Sequence, residues 1–170
     1  PTEINYRMAE ASLPGNREAF ADKLIDRMLL YNYDGLCLDQ ERSINHDHYQ
    51  ALVELVREKM EEIEVGRYHL SVSISTWMMT PAQAKLMEPY VDSFDLMTYW
   101  TSIMHEASEY IDGGVDPNKI EGGIGVIVTE SRPEIDSSIA AVTGKVQEII
   151  DYNLKAAKIW YLQGVEYFQD

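Results

Sequence analysis

The strongest constraint in this chain is an alternation. Short runs with aliphatic residues at every second position are separated, repeatedly, by stretches with helical spacing. In Tyr68 to Ser75, Leu70, Val72 and Ile74 share one face, while Ser71, Ser73 and Ser75 share the other. Tyr33 to Glu41 repeats the arrangement: Leu36 and Leu38 lie on one side, and Gly35, Cys37, Asp39 and Glu41 on the other. Strands that are aliphatic on one face and small or polar on the opposite face, alternating with helices, predict parallel βαβ units with the helices outside. The pattern argues against a sandwich and against a helical bundle.

Taken in order, Pro1 to Asn16 reads as a loop, with Pro14-Gly15 as a turn. Asn16 caps a helix running to about Tyr31, with Phe20, Leu24 and Met28 along one stripe. The acidic strand follows, then a polar loop from Arg42 to His48. Tyr49 to about Glu64 predicts an amphipathic helix with Leu52, Val53, Val56, Met60 and Ile63 inward, and Gly66 ends it. After the second strand, Trp77 stands at the exit and Thr80-Pro81 starts a short helix to about Met87. Phe94 to Trp100 is the third strand, with Asp95, Met97 and Tyr99 on one face. A helical turn falls between Ser102 and Ile111. The glycine-rich run Lys119 to Val128 is the fourth strand, and its glycines predict close backbone approach. A helix over Ser137 to about Ala157 precedes a last strand from Gly164 to Phe168.

In parallel sheets of this kind ligands gather at the C-terminal ends of the strands. Glu41, Trp77, Tyr99, Trp100 and Phe168 all fall there. Asp39 and Glu41, two positions apart on one strand, are separated by roughly 7 Å at about 3.3 Å per residue. Carboxylates at that spacing repel, which raises the pKa of one and makes it a proton donor near neutral pH. No glycine-rich phosphate loop follows any strand, which argues against a nucleotide site. Cys37, flanked by aliphatic residues, reads as a small buried hydrophobe rather than a nucleophile. His46 and His48 read as solvated loop residues, with no third ligand to make a metal site. Glu54, Glu58, Glu61, Glu62 and Glu64 read as a solvated helix face.

The length of 170 residues suits one domain with a real core. A net charge of −15 argues against nucleic acid and anionic membrane surfaces as partners. A single cysteine excludes an internal disulfide. No apolar run reaches the length of a membrane span, and no signal peptide opens the chain, so either none exists or this is a processed or excised piece. Eleven Tyr and three Trp against three Phe form a polar-tipped aromatic set that suits carbohydrate faces as well as half-buried positions.

Asp34-Gly35-Leu36-Cys37-Leu38-Asp39-Gln40-Glu41 resembles the Asp-Gly-x-Asp-x-Asp-x-Glu signature of glycoside hydrolase family 18, the chitinases and endo-β-N-acetylglucosaminidases. Met97-Thr98-Tyr99-Trp100 is similar to that family's Met-x-Tyr-Asp motif, and Lys119 to Val128 to its glycine-rich seventh strand. Gly164 to Phe168 sits where the eighth strand would be. The resemblance implies a (β/α)8 TIM barrel of which residues 1–170 carry strands four to eight, as one catalytic-type domain lacking its first three strands. Such a barrel typically needs about 250 residues. The five strands alone would leave two open edges, which are a liability. The sequence therefore reads as part of a larger chain.

The resemblance further implies substrate-assisted hydrolysis of β-linked N-acetylglucosamine-containing glycans, an oligosaccharide or a glycoprotein glycan, without metal or cofactor. In that scheme Glu41 is the general acid and then the base, Asp39 orients the substrate acetamide, and Tyr99 hydrogen-bonds its carbonyl. Met97, Trp77, Trp100 and Phe168 become substrate-binding walls. The family resemblance also implies a place outside the cytoplasm: secreted, periplasmic or at the cell surface. Three positions depart from the family pattern: Cys37 replaces the middle aspartate, Trp100 replaces the aspartate ending the second motif, and Phe168 stands for the expected last-strand tryptophan. These departures keep open an alternative, an inactive lectin-like glycan binder on the same barrel, and a third reading as a structural or adaptor module.

Overall fold

The chain, described here by a computed structural model over residues 9–41, 45–126 and 135–160, turns the alternation into a sheet. The elements run α1 (Arg17–Leu30), β1 (Gly35–Leu38), α2 (His46–Ile63), β2 (His69–Ile74), α3 (Pro81–Met87), β3 (Ser93–Leu96), α4 (Ile103–Asp112), β4 (Ile120–Gly125), α5 (Ile139–Asp151) and β5 (Ala156–Trp160). The five strands lie in sequence order, and every neighbouring pair is parallel. The architecture is a half-barrel of (β/α) units. None of the described helices is long and apolar enough to cross a membrane.

The outer face of the sheet is the core. Leu70, Val72, Ile74, Phe94, Leu96, Ile120 and Ile124 are all buried against the helices. From the helices, Met28, Leu52, Val56, Met60, Met87 and Ile103 close over them. Gly122 belongs to this face: an added Cβ there would meet Ile149 and Ile103 within 3 Å, so its absence lets α4 and α5 settle on β4. Tyr110 is fully buried and its hydroxyl donates to the Met79 carbonyl at 2.8 Å, which removes the cost of burying the phenol oxygen.

Local signals explain the helix ends. Thr80 and Gln83 form a reciprocal capping box at the start of α3, with Pro81 in its first turn. Asn45 caps α2 by accepting the His48 N–H at 3.0 Å. The expected loop through His48 is thereby corrected, because the cap starts the helix early and puts His46 and His48 in its first turn. Asn16 precedes α1 but its side chain makes no cap; its amide donates back to the Glu10 carbonyl instead. The strands end sooner than their sequence patterns. β3 stops at Leu96, so Tyr99 and Trp100 sit in the turn beyond it.

The last strand is the largest correction. The expected helix to Ala157 stops at Asp151, because Asn153 adopts a left-handed backbone (φ 52°) and turns the chain. Ala156 to Trp160 then pairs with Glu121 to Gly125 as β5. The expected strand at Gly164 to Phe168 lies outside the described residues.

At the N-terminal ends of the strands a polar staple joins α2, β2 and β3. Arg57 donates to the carbonyls of Tyr90 and Tyr68 and pairs with Asp92, which also accepts the Leu70 N–H at 2.8 Å. Burial alone would push Asp92 up, but the Leu70 N–H and the Arg57 guanidinium outweigh it and hold the carboxyl below its usual range. Since Leu70 of β2 is fully buried in this outer-face core, Leu70→Ala is expected to destabilise the protein by about 2–5 kcal/mol, read by urea unfolding. A loss below about 1 kcal/mol would mean that the outer face is not the core.

Candidate active site

Period two places a different set of groups on the inner face. Cys37 pairs in register with Ser71, Ser73 with Asp95, Asp95 with Glu121, and Gly123 with Lys158. Paired residues in a parallel sheet point to the same side. Cys37, Ser71, Ser73, Asp95, Glu121 and Lys158 therefore share the concave surface, and Asp39, Met97 and Tyr99 follow at the strand exits.

Asp95 is the hub of this surface. It is almost fully buried, and its Oδ2 accepts from the Cys37 thiol at 2.9 Å and from the Ser71 hydroxyl at 3.0 Å, and pairs with Lys158. The reading of Cys37 as a buried hydrophobe is corrected: the thiol faces the concave side, is solvent-accessible, and donates to a carboxylate. The residue is exposed, but its sulfur is packed against Asp95 and Ser73, and that partial desolvation, then the Asp95 charge, pushes the thiol up, so it stays protonated and is a poor nucleophile.

Asp39 stands at the exit of β1. Its carboxyl is pushed up from the ordinary value, first by burial, then by the Asp95 charge, against the opposing effects of a Ser73 hydrogen bond and Lys158. The partner raising it is thus Asp95, two strands away, where the spacing in sequence points to Glu41.

Glu41, Trp77, Met97, Tyr99, Trp100 and Trp160 line one cleft of about 110 Å³ at the C-terminal ends of the strands. It gathers all three tryptophans of the chain. Trp77 and Trp100 are 60% and 47% exposed, which leaves their faces open to a ligand. Met97 is buried as the floor. Tyr99 stacks on Trp160 at 4.6 Å between centroids and meets Trp100 edge-on at 5.8 Å. Glycine makes room for this tyrosine: a Cβ at Gly123 would lie 2.2 Å from the Leu96 carbonyl and 3.0 Å from the Tyr99 ring. Lys145 of α5 reaches under the same turn and donates to the carbonyls of Thr98 and Tyr99. Burial pushes the Tyr99 phenol up, and the charges of Asp39 and Asp95 add to it, so the hydroxyl remains a donor.

Sequence reasoning placed Asp39, Glu41, Trp77, Tyr99 and Trp100 at the strand exits and Met97 on the inner face of the third strand; the fold sets Glu41, Trp77, Met97, Tyr99 and Trp100 around one cleft, with Asp39 beside Ser73. Phe168 lies outside the described residues. The aromatic found on the last strand is Trp160. Trp160 and Lys158 were both missed, because the helix was carried too far. The alternation of Ala156, Lys158 and Trp160 just after Asn153 was the available signal.

No protein-family model and no curated protein matches the sequence. Solved structures do share the fold. A chitinase of glycoside hydrolase family 18 from Cycas revoluta, crystallised as a mutant with (GlcNAc)4, is 12% identical at a TM-score of 0.75 over 95% of this chain and 73% of its own. A fungal endo-β-N-acetylglucosaminidase of family 18 is 14% identical at a TM-score of 0.66 over 88% of this chain. This chain spans 56% of that enzyme's length. A chitinase from Bacteroides thetaiotaomicron is 16% identical at a TM-score of 0.66, over 96% of this chain and 67% of its own. What these similarities establish is the fold, part of a (β/α)8 barrel.

The raised carboxyl has a consequence for stability. A carboxylate whose folded pKa lies above its unfolded value of about 3.8 weakens the fold at neutral pH; the penalty fades as pH falls through the folded pKa and is gone below the unfolded one. Asp39→Asn is therefore expected to raise Tm at pH 7, with the difference from wild type closing by pH 3. An Asn variant that melts lower at pH 7 would contradict this.

Proposed function

We propose that the protein is a glycoside hydrolase acting on β-linked N-acetylglucosamine-containing glycans by substrate-assisted, retaining catalysis. The observation that carries this reading is the cleft itself: a solvent-facing glutamate, a protonated tyrosine and three tryptophans at the strand exits, with Asp39 alongside. Indole faces suit the apolar faces of sugar rings, and N-acetylglucosamine adds an amide that needs a donor and an acceptor.

In this reading Glu41 protonates the leaving glycosidic oxygen as the substrate's acetamide oxygen attacks the anomeric carbon. Tyr99 donates to that acetamide oxygen before attack, and burial, which pushes its phenol up, favours the neutral donor form. Asp39 accepts the acetamide N–H and, as a carboxylate, offsets the positive charge of the oxazolinium intermediate. Glu41, now ionised, takes a proton from water to open it. Trp160, Trp77 and Trp100 hold the rings, and Met97 seals the floor. Because Asp39 must be ionised while its carboxyl is pushed up, the acid limb of kcat/KM is expected to move upward from that of an ordinary aspartate. Substrates of this class place the protein outside the cytoplasm, in a secreted, periplasmic or cell-surface setting. Residues 1–170 would then be the catalytic barrel portion of a longer protein.

A lectin-like role on the same scaffold is favoured by one observation, the thiol at position 37. The test is Glu41→Gln, with chito-oligosaccharides and an N-linked glycoprotein as substrates and products read by mass spectrometry. The expected loss of turnover is about 10²–10⁴-fold with binding retained. Equal turnover by the variant would remove Glu41 from the chemistry, and binding without product by wild type would favour the lectin.

A further inference from the structure

Part of the aromatic rim stands on a turn that projects beyond the sheet's own bonds. The Met97 N–H donates to the Ile74 carbonyl at 2.9 Å, and the Thr98 hydroxyl donates to the Gly123 carbonyl at 2.9 Å. The chain from Tyr99 to Ser102 lies past those bonds, and it carries two of the cleft residues, Tyr99 and Trp100. Behind the turn, facing α5, is a hollow of about 300 Å³. Trp100, Thr101 and Ser102 line it from one side, and Gly144, Lys145 and Glu148 from the other. A Cβ added at Gly144 would meet nothing within 4 Å, so the helix face is open there. The back of the turn is thus held by bonds across a gap rather than by filled packing.

Two side chains three residues apart on α5, and so on one face of it, make those bonds. Lys145 donates to the carbonyls of Thr98 and Tyr99, the latter at 3.0 Å. Glu148 accepts the Ser102 hydroxyl at 3.2 Å and the Met104 N–H at 3.0 Å. A cation therefore takes the carbonyls before Trp100, and an anion takes the donors after it. Met104 lies in the first turn of α4, where backbone N–H groups lack helical partners and a negative charge is favourable. Hydrogen bonds with one ionised partner are the stronger kind.

We propose that Lys145 and Glu148 are positioning residues that brace the turn between β3 and α4 and so set where Tyr99 and Trp100 stand in the cleft. Neither lines the cleft itself. Each acts through the turn's hydrogen bonds. Trp160 reports the same brace, because Tyr99 stacks on it at 4.6 Å. Trp77 stands on a separate turn after β2.

The purpose of the brace rests on the hydrolase reading above, while its geometry does not, and the test separates the two. Lys145→Met keeps the aliphatic stem and removes the donor. Its Trp100 and Trp160 indole N–H signals are expected to move in proton–nitrogen NMR while Trp77 stays. Glu148→Leu is expected to move Trp100, and Glu148→Gln, which keeps an oxygen acceptor, to hold it near its wild-type position. On chito-oligosaccharides kcat/KM is expected to fall about 10–10²-fold in Lys145→Met, the scale of loss from a misplaced group. A merely structural contact would lower Tm and leave the indole signals of the folded protein in place. Unmoved Trp100 and Trp160 signals, or equal movement of all three indoles, would overturn the proposal. Should Lys145→Met not fold, the Glu148→Leu and Glu148→Gln pair decides alone. If wild type neither binds nor cleaves chito-oligosaccharides while the indoles move as described, the hydrolase reading fails and the brace stands. If wild type cleaves them and both disrupting variants keep its kcat/KM and indole signals, the brace fails and the hydrolase reading stands.

Discussion

Everything in this structure depends on the two-residue period of a parallel sheet with one dry face. The outer face is sealed by helices, and toward them β2 and β3 present only apolar side chains: Leu70, Val72, Ile74, Phe94 and Leu96. Every group with chemistry must then appear on the concave side or at a strand exit. A register slip of one residue would put Asp95 among the helices and Leu96 at the site. The packing of the core and the assembly of the site are therefore one constraint seen from two sides.

The concave face is polar all the way down. Its floor is the Asp95 hub with Cys37, Ser71 and Lys158, and its rim carries Asp39, Glu41, Tyr99 and the tryptophans. The floor and the rim meet at the exit of β1, where the carboxyl of Asp39 lies in the field of Asp95 on β3 and of Lys158 on β5. The resembled signature has a carboxylate at position 37. Here that position holds a thiol, and the buried carboxylate comes from β3.

Much of the fold was legible because its signals are local. Alternation in β1 and β2, the Thr80-Pro81 start and the small-residue strand β4 each follow from neighbours in the chain. The strand-exit residues Glu41, Trp77, Tyr99 and Trp100 were legible for the same reason, since parallel strands deliver their exits to one side. What the sequence could not show is cross-strand. Asp95 reads as one of three residues sharing a face until curvature brings Cys37 within hydrogen-bond reach. Lys158 and Trp160 were hidden by a long apolar helix whose true end is fixed by the backbone of a single asparagine, Asn153. The partner that pushes Asp39 up could not be deduced from spacing, because it acts through space from β3 rather than along β1.

The aromatic cleft above the acidic exits is the proposed seat of an N-acetylglucosamine chain. The chain has three tryptophans and all of them line that cleft, so their indole N–H signals form a complete reporter set. The most direct measurement is a proton–nitrogen NMR titration of those three signals with (GlcNAc)4 on the Glu41→Gln variant, which blocks turnover. All three are expected to move together and saturate at one affinity. Three indole signals that stay fixed while the sugar is raised to millimolar concentration would contradict it.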